Sequence, residues 1–73
     1  MQIDPKHLIQ LTEILDCQSF TLAAERLNTS QPALSRMATA LEAQLGAQIF
    51  ASRRNPVTPT ALGTELANYG RSI

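Results

Sequence analysis

Residues 20–45, FTLAAERLNTSQPALSRMATALEAQL, constrain the fold more than any other part of the chain, because they predict two helices joined by a short polar turn. The first predicted helix covers about residues 20–27. Asn28 tolerates the left-handed conformation that ends a helix, and Ser30 is a favourable N-cap for the next one. Pro32 falls in the first turn of the second helix, where its missing N–H is harmless.

The second predicted helix, about residues 31–45, combines an apolar stripe with a slim polar face. The apolar residues recur at i, i+4, i+7 and i+11, the spacing of one helix face: Leu34, Ala38, Leu41 and Leu45. The opposite face carries short or polar side chains: Gln31, Pro32, Ser35, Arg36, Thr39 and Ala43. Such a face fits the DNA major groove, where Arg, Gln, Ser and Thr read base edges, so the pair predicts a helix-turn-helix. Spacing alone leaves an unrelated helical hairpin equally open.

The composition sets the size class and, taken alone, argues against DNA binding. The chain has 73 residues, of which 44% are hydrophobic, which suits one small folded domain. Its formal net charge is zero and its pI is about 6.5, which is unusual for a protein that binds nucleic acid. The cations Arg36, Arg53 and Arg54 nevertheless lie where a helix-turn-helix and the loop after it would meet DNA.

The sequence predicts no catalytic, metal or cofactor site. It contains no recognisable nucleophile–base pair, carboxylate pair or phosphate-binding loop, so we expect no enzyme. His7 is the single histidine and Cys17 the single cysteine, which is too few for a metal site. Cys17 follows an apolar helix and is expected to be buried and inert rather than redox-sensing. Because neither a signal peptide nor a membrane span is recognisable, the expected compartment is the cytoplasm.

Another helix is predicted before the helix-turn-helix. Asp4 is its expected N-cap, Pro5 occupies its first position, and its apolar face should support the later helices as core. Ser19 is the expected cap of the helix over residues 20–27. In that helix Thr21 points outwards and is a candidate for a phosphate contact. Arg26 is equally open to a phosphate contact or to pairing with a nearby acid.

A wing is predicted after Gly46, where the helical spacing stops. Residues 47–51 form a strand-like run and residues 57–58 a possible return strand, with the polar, turn-prone segment 52–56 between them. Arg53 and Arg54 lie in this segment and would follow the DNA backbone or enter the minor groove. The alternative is a solvated charged loop.

The last predicted helix begins after Thr60, its expected cap, and carries a second apolar stripe. The stripe recurs at i, i+4, i+7 and i+11: Leu62, Leu66, Tyr69 and Ile73. Because the wing comes before it, the domain leaves this stripe little to cover, so the stripe predicts a dimer interface. Gly63 and Gly70 each weaken an isolated helix by about 1 kcal/mol relative to Ala, but they permit another segment to approach closely.

Several motifs occur together in a fixed order. They are FTLAAERL at residues 20–27, SQPALSR at residues 30–36, Leu41-Glu42, Leu45-Gly46, Ile49-Phe50, Val57, Thr60 and Gly63. In this combination they closely resemble the N-terminal DNA-binding domain of LysR-type transcriptional regulators. The resemblance covers most of the chain and is most specific between residues 19 and 50.

The resemblance implies a mainly α fold with a small β-wing. A winged helix-turn-helix would cover residues 1–59, and the start of a linker helix for dimerisation would cover residues 60–73. The domain would bind double-stranded DNA at an interrupted inverted repeat, as a homodimer or a higher homo-oligomer, and regulate transcription. A small-molecule effector would bind only to a further domain, which this chain lacks, so the chain resembles a DNA-binding fragment.

The sequence departs from this family in the wing. Ser52 stands where the family usually has Arg, and Asn55 occupies a commonly basic position, so a role carried over to residue 52 is in doubt. Pro59 replaces an apolar residue, and because proline cannot donate to a strand ladder, the return strand should be very short. The predicted DNA contacts are Gln31, Pro32, Ser35, Arg36, Thr39, Thr21, Ser30, Arg53 and Arg54.

Two other functions remain open at this stage. One is the DNA-binding domain of another winged-helix regulator family, such as the molybdate-responsive type. The other is a winged-helix module for protein–protein contact, which the zero net charge favours.

Overall fold

Four helices and a two-stranded antiparallel sheet follow one another in the predicted order, in a computed structural model that describes residues 3–72. The elements are α1 (Pro5–Cys17), α2 (Phe20–Arg26), α3 (Gln31–Leu45), β1 (Phe50–Ser52), β2 (Thr58–Pro59) and α4 (Ala61–Arg71). The predicted fold class, mainly α with a small β-wing, is confirmed.

The helix ends follow from short-range chemistry. Each helix begins after the predicted cap residue, whose side-chain oxygen accepts a backbone N–H from the first turn: Asp4 for α1, Ser19 for α2, Ser30 for α3 and Thr60 for α4. Asn28 takes the left-handed conformation, with φ of 56°, as predicted, and Gly46, where α3 was predicted to stop, takes the same conformation with φ of 66°. Gln18 ends α1 in the same conformation, which the sequence analysis did not predict.

A single hydrophobic core joins the helices to the wing. It contains the stripe predicted for α3, namely Leu34, Ala38 and Leu41, with Leu45 packed at its edge. The largest fully buried side chains come from α1, from α3 and from the residues just before the two wing strands: Leu11, Ile14, Leu34, Ile49 and Val57. Since α1 supplies two of these residues, its predicted role as the support of the helix-turn-helix is confirmed.

The wing strands lie later in the chain than predicted. The prediction placed them at residues 47–51 and 57–58, but Phe50 pairs with Pro59 and Ser52 with Thr58. Ile49 is fully buried; its N–H donates to the Glu42 carboxylate at 2.7 Å and its carbonyl accepts the N–H of Thr60, and the pairing of β1 with β2 begins at the next residue. The return strand has 2 residues, which confirms that it is very short, although Pro59 lies inside it.

The packing of α4 contradicts the prediction that its stripe has little of the domain to cover. The helix lies along α1, and Leu66 belongs to the core with 9% of its surface exposed. Gly70 makes this possible, because a Cβ at that position would overlap Thr12 Oγ1, and at Gly63 a Cβ would overlap the carbonyl oxygen of Ile49. Leu66 of the predicted stripe therefore packs into the core of this domain.

Candidate nucleic-acid interface

The polar face of α3 is exposed along most of the helix. Its exposed residues, with Ser35 half-buried among them, are Gln31, Pro32, Arg36, Thr39, Ala40 and Ala43. The buried stripe of Leu34, Ala38 and Leu41 holds the opposite side against the core, so the face is directed away from the domain. It carries no aromatic or large aliphatic side chain and can therefore enter a groove as narrow as the DNA major groove.

Arg36 is the cation of this face. Its side chain is exposed, and within residues 3–72 no carboxylate forms a salt bridge with it. The guanidinium donors are thus available to an acceptor outside the domain. Ser30 lies at the start of the same helix, where its Oγ accepts the N–H of Ala33 at 3.2 Å and leaves the hydroxyl proton free to donate.

The two wing arginines, which the sequence analysis treated as a pair, have different surroundings. The Arg54 side chain is exposed, and only its backbone N–H is bound, by Ser52 Oγ at 3.2 Å. Arg53 is directed towards α3, where its Nη2 lies 2.5 Å from Glu42 Oε1 and its Nη1 donates to Thr39 Oγ1 at 3.1 Å. Ser52, whose role was in doubt, supports the turn of the wing by accepting the backbone N–H of Arg54.

Two aromatic rings complete the surroundings of Arg53. Its guanidinium carbon lies 5.8 Å from the ring centre of Phe20 and 5.5 Å from that of Phe50. The two rings pack against each other with centres 5.2 Å apart. Both distances to Arg53 fall within the range of cation–π attraction, which adds to the ion pair. Arg53 is thus bound within the domain, whereas the prediction gave it a role towards DNA or, as the alternative, a place in a solvated charged loop.

Glu42 has a role in this region that was not predicted from the sequence. Its Oε2 accepts the backbone N–H groups of Ile49 at 2.7 Å and of Phe50 at 3.3 Å, while its Oε1 binds Arg53. Burial opposes ionisation of Glu42, but these hydrogen bonds outweigh it and hold the pKa of the carboxyl below its ordinary value. The sequence pattern that could have indicated this role is an acidic residue beside the apolar stripe of α3, shortly before a strand and a pair of arginines.

The remaining predicted residues lie on α1 and α2. Thr21 is exposed, as a phosphate contact requires. Arg26 lies 3.8 Å from Glu13 Oε2, which favours pairing with an acid over a phosphate contact. Cys17 is only partly buried and donates to Glu13 at 3.2 Å; burial raises the pKa of the thiol and the contact with Glu13 raises it further.

The predicted dimer stripe is divided by the fold. Leu66 is buried in the core and Leu62 is half-buried against it, whereas Tyr69 has 66% of its surface exposed. Ile73 lies outside the described residues.

Among residues 3–72 no group of His, Cys, Asp and Glu could hold a metal ion, and no helix there is long and apolar enough to cross a membrane.

Comparison with known proteins decides the family. The family model described as "Bacterial regulatory helix-turn-helix protein, lysR family" matches residues 5–64. The chain belongs to this lysR family. This membership sets aside the molybdate-responsive type that the sequence left open. The chain is 36% identical over 73 residues to the small neutral protease regulatory protein of Streptomyces coelicolor, and it covers 22% of that relative. The lysR chain described here thus spans about a fifth of the length of the curated relatives that it matches.

Solved structures of lysR-type proteins share the fold. A BenM DNA-binding domain in complex with its benA site 1 DNA superimposes with a TM-score of 0.88 at 34% identity, over 96% of this chain and 79% of that one. DarR of Vibrio fischeri, solved in complex with DNA, gives a TM-score of 0.85 at 29% identity, over 99% of this chain and 25% of that one. The match confirms the winged helix-turn-helix architecture.

Proposed function

We propose that this lysR-type domain binds specific duplex DNA through α3 and thereby regulates transcription. The observation that carries the proposal is the exposed face of α3, on which Arg36 has no acidic partner among residues 3–72. The fold that presents this face superimposes on lysR-type domains that were solved with DNA. Helices in this position lie in the major groove.

The spacing along α3 assigns roles to the individual side chains. Its 15 residues extend for about 22 Å, long enough to follow the floor of the groove. Arg36 and Gln31 are the long side chains that can form paired hydrogen bonds, Arg with guanine and Gln with adenine. Ser35 and Thr39 are shorter and suit single bonds to bases or phosphates. Pro32 offers an apolar contact such as a thymine methyl group.

The phosphate contacts come from the residues around α3. Ser30, with its free hydroxyl proton, and Thr21, exposed on α2, can donate to the backbone. Arg54 on the wing supplies a cation there. Because the net charge is zero and few cations face outwards, the total dependence of binding on salt should be shallow and one domain should bind weakly.

Two copies on an inverted repeat would strengthen this weak binding. Dimers of helix-turn-helix proteins place their recognition helices on half-sites related by two-fold symmetry, and we propose the same arrangement here. Of the predicted stripe, Leu66 is buried in the core and is not available to a second copy, so the proposed interface keeps Tyr69, which is 66% exposed, together with Leu62 and Ile73. Sensing of a small-molecule effector would belong to a part of the regulator outside this chain.

The rival function is a protein-contact module, which the zero net charge favours. Selection of bound duplexes from a random DNA pool, followed by affinity measurements over a range of salt concentrations, separates the two functions. We expect enrichment of one motif in two inverted half-sites, with affinity that falls as salt rises. A pool that stays random would reject specific DNA binding and favour the protein-contact module.

A further inference from the structure

We infer that Arg53 is a positioning residue that fastens the wing to α3, so that Arg54 alone of the two wing arginines contacts DNA. The inference rests on the proposed function, because it assigns the two arginines different parts in DNA binding. It also has consequences in the free domain, which can be tested without any DNA.

The bonds of Arg53 are directed away from solvent. Both terminal nitrogens are bound, one to Glu42 Oε1 at 2.5 Å and the other to Thr39 Oγ1 at 3.1 Å, and 35% of the side chain is exposed. The faces of Phe20 and Phe50 flank the guanidinium. These two bonds hold the guanidinium against α3, so turning it outwards to a phosphate would break both of them.

The loss of Arg53 as a partner would be costly for Glu42, whose side chain is only 18% exposed. A largely buried carboxylate needs partners for both oxygens, and the backbone N–H groups of Ile49 and Phe50 serve only Oε2. Arg53 is the partner of Oε1. Since Glu42 lies on α3 while Ile49 and Phe50 lead into β1, this one carboxylate joins the helix to the base of the wing.

Thr39 connects this arrangement to the DNA-facing surface. Its Oγ accepts from Arg53, which leaves the hydroxyl proton available to another acceptor. Thr39 is exposed on the same face as Arg36. The bond from Arg53 therefore holds Thr39 in place while its hydroxyl can still donate to an acceptor on a base or a phosphate.

Arg54 is the matched control, because it is the neighbouring residue with the same charge. Its side chain is exposed, and none of the three salt bridges between described residues includes it. Only its backbone N–H is bound, to Ser52 Oγ. The wing thus holds one arginine inwards and presents the other outwards.

The test compares Arg53→Met, Arg53→Lys and Arg54→Met on the selected duplex over a range of salt concentrations. We expect Arg54→Met to weaken binding and to lower the slope of log affinity against log salt by about 0.9, the loss of one phosphate contact. Arg53→Met should weaken binding about two- to tenfold, because the wing must then be ordered on binding, with the slope unchanged. Arg53→Lys should not restore affinity, since lysine lacks the planar fork. A lower slope in Arg53→Met, with recovery in Arg53→Lys, would overturn the inference.

Two measurements on the wild-type protein decide the matter if Arg53→Met does not fold. In the free domain, the backbone amide NMR signal of Ile49 should follow the titration of Glu42. A pH-independent Ile49 amide would contradict the attachment of the wing to α3 through Glu42. On addition of the duplex, the side-chain Nε–H signal of Arg54 should shift while that of Arg53 stays in place. A shift of Arg53 with Arg54 unchanged would reverse the assignment. If neither the wild type nor any of the three variants bound duplex DNA, the proposed function would be rejected. The titration in the free domain would still test the attachment of the wing to α3.

Discussion

Gly70 of α4 lies directly against Thr12 of α1, so close that a Cβ on Gly70 would overlap Thr12 Oγ1. Thr12 cannot turn away freely, because its hydroxyl donates to the carbonyl of Leu8 at 2.8 Å. The contact sets the distance between the two helices and brings Leu66 into the core. The helix expected to serve mainly as a linker is thus part of the hydrophobic core of this domain.

The first prediction concerns this contact. Gly70→Ala should destabilise the domain by about 1–3 kcal/mol, because overpacking outweighs the gain of about 1 kcal/mol in helix propensity. Thr12→Ala removes the overlapping oxygen, so the double variant should recover part of the loss, while the Leu8 carbonyl and the Cβ of residue 12 stay close to the new Cβ. Urea unfolding of the four proteins in a double-mutant cycle measures the coupling. Additive effects would show that the two residues do not limit the helix distance.

The second prediction concerns the pH dependence of stability. The pKa of Glu42 is lowered in the folded state, because hydrogen bonds to its ionised form outweigh the effect of burial. A carboxyl with a lowered folded pKa stabilises the fold above its unfolded pKa, about 4.3, and this contribution is lost as the pH falls through the folded pKa. Thermal unfolding between neutral pH and about pH 3 should therefore show a steeper fall for wild type than for Glu42→Gln. Parallel curves would mean that Glu42 contributes nothing specific to acid sensitivity.

The third prediction separates the core of α4 from its exposed surface. Leu66→Ala should lower the free energy of unfolding by about 2–5 kcal/mol, because it opens a cavity in the core. Tyr69→Lys should leave that free energy nearly unchanged, since Tyr69 is 66% exposed, but it should weaken self-association. Sedimentation equilibrium of both variants, beside chemical unfolding, checks the two effects. Unaltered association of Tyr69→Lys would place the interface elsewhere.

Local features of the fold could be predicted from the sequence, because they depend on neighbouring residues. The caps Ser19, Ser30 and Thr60 bind backbone N–H groups within their own first turns, and Asn28 and Gly46 end helices through their own conformational preferences. The slim polar face of α3 likewise follows from helical spacing alone. These features required no knowledge of distant contacts.

Contacts between distant segments could not be predicted in the same way. The stripe of α4 was recognised, but spacing does not say which surface covers Leu66, and the fit of Gly70 against Thr12 decides it. The charges of Arg53 and Arg54 are equal in the sequence. Only the fold brings Glu42 within reach of Arg53, across 11 residues of chain, and so distinguishes the two arginines.

Arg36 tests the central claim most directly, because it is the exposed cation on the proposed recognition face and lies outside the core. The measurement is the affinity of wild type and Arg36→Ala for the selected duplex and for each of its single-base variants, at one salt concentration. The fold should stay intact, and the variant should lose about 1–3 kcal/mol of discrimination at one base pair of each half-site, the value of a paired contact from arginine to guanine. An equal loss of affinity on every duplex would contradict base reading by Arg36 and reduce its role to a phosphate contact.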